Sequence, residues 1–113
     1  MLRLIIIFTF IGSLASADTW LKLSNNEIET ALSNRTLQYS GAIQVFYENG
    51  DTYYASQRPT HGKWDVEENQ YCSVWPPAVT WVCYDVERNT DGTAIRFISK
   101  DGSADIGTYK DGN

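Results

Sequence analysis

The chain has 113 residues, with fourteen acidic side chains against nine basic ones and a net charge of −5. That length allows one small domain, and an acidic balance without clustered Lys or Arg argues against nucleic acid or anionic lipid as partners. Two cysteines and one histidine are too few for a zinc site. No Cys-x-x-Cys redox spacing, haem attachment sequence or glycine-rich phosphate loop occurs, so neither a metal nor a cofactor is expected.

The opening MLRLIIIFTFIGSLASADTW carries one positive charge at Arg3, an apolar run around Leu4 to Ile11, and Ala15-Ser16-Ala17 in a small-residue cleavage pattern. This is the pattern of a secretory signal peptide. The apolar run is about a dozen residues, short of the roughly 20 that span a bilayer. The expectation is therefore a signal peptide over 1–17 cleaved after Ala17, export to the periplasm or the medium, and one β-rich domain over 18–113 with no transmembrane anchor. Cleavage leaves eight basic residues against fourteen acidic ones, a net charge of −6. A chain so short buries a modest core, and an oxidising compartment makes a disulfide the natural supplement.

Next comes LSNNEIETALSNRT. Ser24 with Glu27 three residues later is a capping-box pattern, and Leu23, Ile28, Ala31 and Leu32 recur at helical spacing. They predict a short helix over about Asn25 to Ser33, whose narrow apolar stripe lies against a sheet and closes one end of it. Asn34-Arg35-Thr36 fits a glycosylation sequon.

From Thr36 the period changes to two. The segments TLQYSG, IQVFYE, TYYAS, GKWDV, QYCSVW, TWVCYDVE, TAIRFIS and ADIGTY are short, rich in β-branched and aromatic residues, and separated by turn chemistry at Asn49-Gly50, Glu68-Asn69, Pro76-Pro77, Asp91-Gly92 and Asp101-Gly102. The predicted fold is mainly β: one short N-terminal helix, then an antiparallel meander of about eight strands forming a small barrel or sandwich with one disulfide. A two-residue turn at Asn49-Gly50 would set Phe46 opposite Tyr53 and Val45 opposite Tyr54, with Ile43, Val45, Tyr47 and Tyr54 on the core side. Glu48 and Asp51 would then face each other at the tip as two solvated carboxylates, too few donors for a calcium shell.

The stretch YCSVWPPAVTWVCY, Tyr71 to Tyr84, reads nearly alike from either end. Folded as a hairpin around Pro76-Pro77, it places Cys72 opposite Cys83 within disulfide reach, with Tyr71 opposite Tyr84, Ser73 opposite Val82, Val74 opposite Trp81 and Trp75 opposite Thr80. The prolines sit in the loop, where no N–H donor is required. Trp64, Trp75 and Trp81 are the candidate binding residues, since exposed indole rings stack on sugars or anchor protein partners. Alternation puts Val82, Tyr84 and Val86 on one face and Trp81, Cys83, Asp85 and Glu87 on the other. Trp81 is thus the more exposed ring unless the disulfide face is the core of a closed barrel.

Catalytic signals are missing. The single histidine, His61, is expected in a turn exposed to water, and no serine has a nucleophile-elbow sequence around it. An enzyme is not expected.

The order LSNNEIETALSNRTLQY, ENGDTYYA, HGKWDV, QYCSVW, VCYDV and KDGS resembles a domain-of-unknown-function family of small exported proteobacterial proteins, with a Gly-x-Trp strand at Gly62 to Trp64 and a Cys...Cys-Tyr strand pair. The resemblance implies an extracytoplasmic bacterial protein and carries over no catalytic or binding residue. Barrel-shaped lysozyme inhibitors are similar in size, export and disulfide use. The Ser-Gly-x-x-Tyr motif of one such family is broken here, because Ser40-Gly41-Ala42-Ile43 is followed by Gln44. The functional expectation is an exported, non-enzymatic β-domain that binds a protein or a cell-envelope glycan through aromatics near Trp75 and Trp81. The alternatives are a lysozyme-inhibitor-like barrel or a structural, stress-related envelope protein without a ligand site.

Overall fold

A computed structural model describes residues 19–110. The predicted signal peptide over 1–17 and its cleavage point lie outside the described residues. The elements in chain order are β1 (Trp20–Lys22), α1 (Asn25–Leu32), β2 (Arg35–Tyr39), β3 (Ala42–Phe46), β4 (Asp51–Ala55), β5 (Pro59–Glu67), β6 (Gln70–Val74), β7 (Val82–Asn89), β8 (Ala94–Ile98) and β9 (Ala104–Tyr109). Each of the eight predicted strand segments forms a strand, β2 to β9.

From β2 to β9 every strand pairs antiparallel with the next, and β9 returns to pair with β2. The meander is therefore a closed eight-stranded barrel, a solution that leaves no free edge in the ring. β1 is an additional strand that sequence periodicity did not reveal. On the edge of β7 where β6 pairs with Val82 to Tyr84, β1 continues the ladder at Glu87 to Asn89. Trp20 of β1 lies under the Arg96 guanidinium, 4.4 Å from ring centroid to Cζ, and Arg96 is bridged to Glu87 at 2.6 Å.

The helix follows from local chemistry. The Glu27 carboxylate accepts hydrogen bonds from the Ser24 backbone N–H at 2.8 Å and the Ser24 hydroxyl at 3.1 Å, as the capping box predicts. Asn25 and Asn69 exchange backbone-to-side-chain hydrogen bonds at 2.8 and 2.6 Å, which ties the helix start to the β5–β6 turn. Ile28, Ala31 and Leu32 are buried among Leu37, Phe46, Trp64, Val86 and Ile95, so α1 plugs one end of the barrel. Around Phe46 the rings of Trp64 and Tyr71 meet edge to face at 5.9 and 5.7 Å, the tilted geometry that ring quadrupoles favour.

One register differs from expectation. Phe46 pairs with Thr52 and Val45 with Tyr53. The loop has three residues, Glu48 to Gly50, closed by Tyr47 N–H to Asp51 C=O at 2.9 Å and Gly50 N–H to Tyr47 C=O at 3.0 Å. Gly50 has φ +100°, the left-handed residue that ends a three-residue hairpin loop. The one-residue shift turns Ile43, Val45 and Tyr47 outward and Ala42, Gln44 and Phe46 inward; Tyr54, opposite Gln44, faces inward as expected. Asp51 and Glu48 do not oppose each other: Asp51 is salt-bridged to Lys63, and Glu48 accepts from the Asn34 amide. His61 lies on β5 rather than in a turn, exposed beside Tyr53.

The disulfide joins Cys72 and Cys83 in the predicted register, Cα atoms 4.0 Å apart, with Tyr71 opposite Tyr84 and Ser73 opposite Val82. The ladder stops there, so Val74 with Trp81 and Trp75 with Thr80 are not strand pairs. The bond closes a loop across a separation of 11 residues; cross-linking a loop of that size stabilises by about 3 kcal/mol in the chain-entropy model. The Cys72→Ala/Cys83→Ala variant should lose about that much in urea unfolding, and a loss below ~0.5 kcal/mol would show that the barrel holds this hairpin without the bond.

The β8–β9 turn supplies a pH signature. The Asp101 carboxyl is held down at about 2 by hydrogen bonds from the Ser99 hydroxyl first, then from the Ser103 backbone N–H and hydroxyl. Because the folded value lies below the ordinary one of about 3.9, the turn's stabilisation is present above that value and lost as pH falls toward 2. In a carboxyl NMR titration Asp101 should titrate near 2, and Ser99→Ala should raise its midpoint; an unmoved midpoint would assign the depression to another cause.

Candidate functional site

The end of the barrel opposite α1 holds a cavity of about 570 Å³. Inward positions near the other ends of the strands form it. Its walls are the rings of Tyr39, Tyr54, Tyr71, Trp75, Tyr84 and Phe97, and its polar groups come from Ser40, Gln44, Thr60, Ser73 and Asp105. An eight-stranded barrel has an interior just wide enough to be filled by side chains or to hold one small ligand. Here the half next to the helix is filled and the other half is not.

Gln44 organises the floor. Its Oε1 accepts from the Tyr39 hydroxyl at 2.9 Å, and its Nε2 donates to the Thr52 hydroxyl at 2.9 Å and the Tyr71 hydroxyl at 3.2 Å. The Thr52 hydroxyl in turn donates to the Val45 carbonyl at 2.8 Å. The three hydroxyls are thus satisfied through one amide, as burial requires. Burial pushes the Tyr71 phenol up to about 12 and raises that of Tyr39 as well. Both phenols therefore serve as neutral hydrogen-bonding groups rather than as bases.

Trp75 forms the lip. It follows β6 and turns its ring into the barrel mouth, edge-on to Tyr54 at 6.1 Å, with Nε1 donating to the Ser73 hydroxyl at 3.2 Å. Gly62 makes room: a Cβ there would come within 2.6 Å of the Val74 carbonyl oxygen and 2.7 Å of the indole. The Gly-x-Trp pair singled out by sequence thus serves two places. Gly62 seats Trp75 in the cavity, and Trp64 is a core residue, 6% exposed, whose Nε1 donates to the Tyr47 carbonyl at 2.8 Å.

Trp81 lies on the other side of the wall. It is 47% exposed and borders an outer groove with Asp65, Glu67 and the disulfide. The three candidate tryptophans are therefore not one platform: one is core, one lines the cavity, and one is on the outer face. Sequence reasoning missed Gln44, Tyr39, Tyr54 and Asp105 as members of one site. The register shift hid Gln44, and barrel closure alone brings β9 beside β2.

Among the described residues no group of three or more His, Cys, Asp or Glu side chains converges to hold a metal ion. No helix among them is long and apolar enough to cross a membrane. Comparison with family models, curated proteins and solved structures finds no match to this chain.

The contact between Gly62 and Trp75 can be tested directly. Gly62→Ala puts a methyl group against main chain that cannot turn aside, so it should cost roughly 1–3 kcal/mol and move Trp75, changing both urea stability and tryptophan emission. Parental stability and emission in this variant would mean that Trp75 does not rest on Gly62.

Proposed function

We propose that the chain is an exported, non-enzymatic binding domain that takes a small ring-bearing ligand, such as a saccharide unit of an envelope glycan, into the open end of its barrel. The carrying observation is the cavity itself, about 570 Å³, with aromatic walls, a hydrogen-bonded polar floor and Trp75 at its lip. Sugar rings offer apolar C–H faces to stack on Trp75 and Tyr54 and hydroxyls for Gln44, Ser73 and Thr60, the pairing of apolar walls with a few placed polar groups that ligand sites use. Export is favoured by the N-terminal pattern and is compatible with the disulfide. The resemblance to small exported proteobacterial proteins belongs to the same proposal.

A second reading, docking of a protein partner such as a hydrolase, draws on the outer face. There Val79 is 85% exposed and Trp81 and Val82 are each close to half exposed, and Trp81 is of the residue type enriched among the anchors of protein interfaces.

Titration with triacetylchitotriose tests the first reading. Tryptophan emission should change in the parent and in Trp81→Phe but not in Trp75→Phe. Loss of the response in Trp81→Phe alone would move binding to the outer face, and no response in any of the three would remove the saccharide.

A further inference from the structure

Among the described residues that line the cavity one is charged, Asp105, exposed at the rim. Asp105 lies on β9 opposite Phe97 of β8, and since Phe97 is buried in the barrel, Asp105 shares its inward face at the rim. Two residues along the same face is Gly107, against which the Tyr39 ring is packed: a Cβ at Gly107 would come within 2.9 Å of Tyr39 Cε1. Asp105 therefore stands beside Tyr39, on the strand next to it. Its negative charge is one of the influences that raise the Tyr39 phenol, after burial and the neighbouring tyrosines. Among the described residues no Lys, Arg or His lines the cavity. The cations on the rim loops, Arg58 and Lys100, stand outside it, and Asp105 makes no side-chain hydrogen bond or ion pair among the described residues.

We propose that the cavity selects an organic cation, a ligand carrying a quaternary ammonium or amine group, with Asp105 as counter-charge and the rings of Tyr39, Tyr54 and Trp75 as its walls. The proposal rests on the cavity being the ligand site and adds the charge of what enters. Aromatic faces carry negative potential and attract a cation lying over them. A neutral ligand without a hydrogen-bond donor would strip water from Asp105 and return nothing, whereas a cation replaces that water with an ion pair. The net charge of −5 draws cations toward the molecule before contact.

Choline and 3,3-dimethylbutan-1-ol have nearly the same shape and differ in charge, so they isolate this selection. In calorimetric and tryptophan-emission titrations at low salt, choline should bind about tenfold more tightly than the alcohol or better. Asp105→Asn should erase the preference while leaving the thermal midpoint unchanged, because the carboxylate supports no internal contact. Equal binding of the two probes, or a preference that survives in Asp105→Asn with an unchanged midpoint, would overturn cation selection and leave a neutral-ligand cavity standing. Response to triacetylchitotriose with none to choline would do the same. Silence toward all three would remove the cavity as a ligand site together with the cation.

Discussion

Side chains along a strand alternate with a period of two, so the three-residue loop from Glu48 to Gly50 determines, for both strands it joins, which residues enter the barrel. With Phe46 opposite Thr52, the inward set of β3 and β4 is Ala42, Gln44, Phe46, Thr52 and Tyr54, and this set matches β5, where Thr52 faces Gly62 and Tyr54 faces Thr60. A two-residue turn would put Phe46 opposite Tyr53, and the inward faces of β3 and β4 would no longer agree. The centre of the aromatic core and the hub of the cavity floor are thus two residues apart on one strand. The left-handed backbone at Gly50, which a side chain rarely tolerates, is the constraint that holds both in place.

From that register the interior divides into two halves. Toward α1, Phe46, Trp64, Val86 and Ile95 meet Ile28 and Leu32, and apolar burial supplies the stability. Toward the open end four inward positions, Gly62, Ser73, Thr60 and Gly107, carry small residues that leave space, and the rings beside them stand against the wall. Tyr71 belongs to both halves, with its ring among Phe46 and Phe97 and its hydroxyl on Gln44. Tyr39, Thr52 and Tyr71 all bond to Gln44, so the polar groups of the floor are paired within the protein.

Much of this was legible in the sequence. Helix α1 could be read because Ser24 and Glu27 signal its start within a few residues, and β2 to β9 because each is short, alternating and bounded by turn residues. The disulfide could be read because facing positions of one hairpin are local. What could not be read depends on longer range. Pairing of β9 with β2 unites ends of the chain that no local pattern connects, and so Asp105 could not be placed beside Tyr39. β1 is three residues held by Arg96 and by the free part of the β7 edge, which gives no periodicity to detect. Asn-Gly is compatible with a two-residue or a three-residue loop at the first hairpin, so the dipeptide alone did not fix the register. Trp64 could not be assigned because indole rings serve equally as core and as surface anchors.

The stretch from Tyr71 to Tyr84 shows how a small asymmetry can separate two like residues. Trp75 is three positions from Cys72, whereas Trp81 is two from Cys83. An odd spacing reverses the face of a strand and an even one keeps it. Since both cysteines point outward, Trp81 stays with them on the outer wall and Trp75 crosses to the interior over Gly62. Direct symmetry would have put both rings on one side, as a single platform with no lip for the cavity. The bond from Cys72 to Cys83 fixes the parity of both arms at once, so the same covalent tie that stabilises the hairpin also sends one indole toward the cavity and leaves the other to solvent.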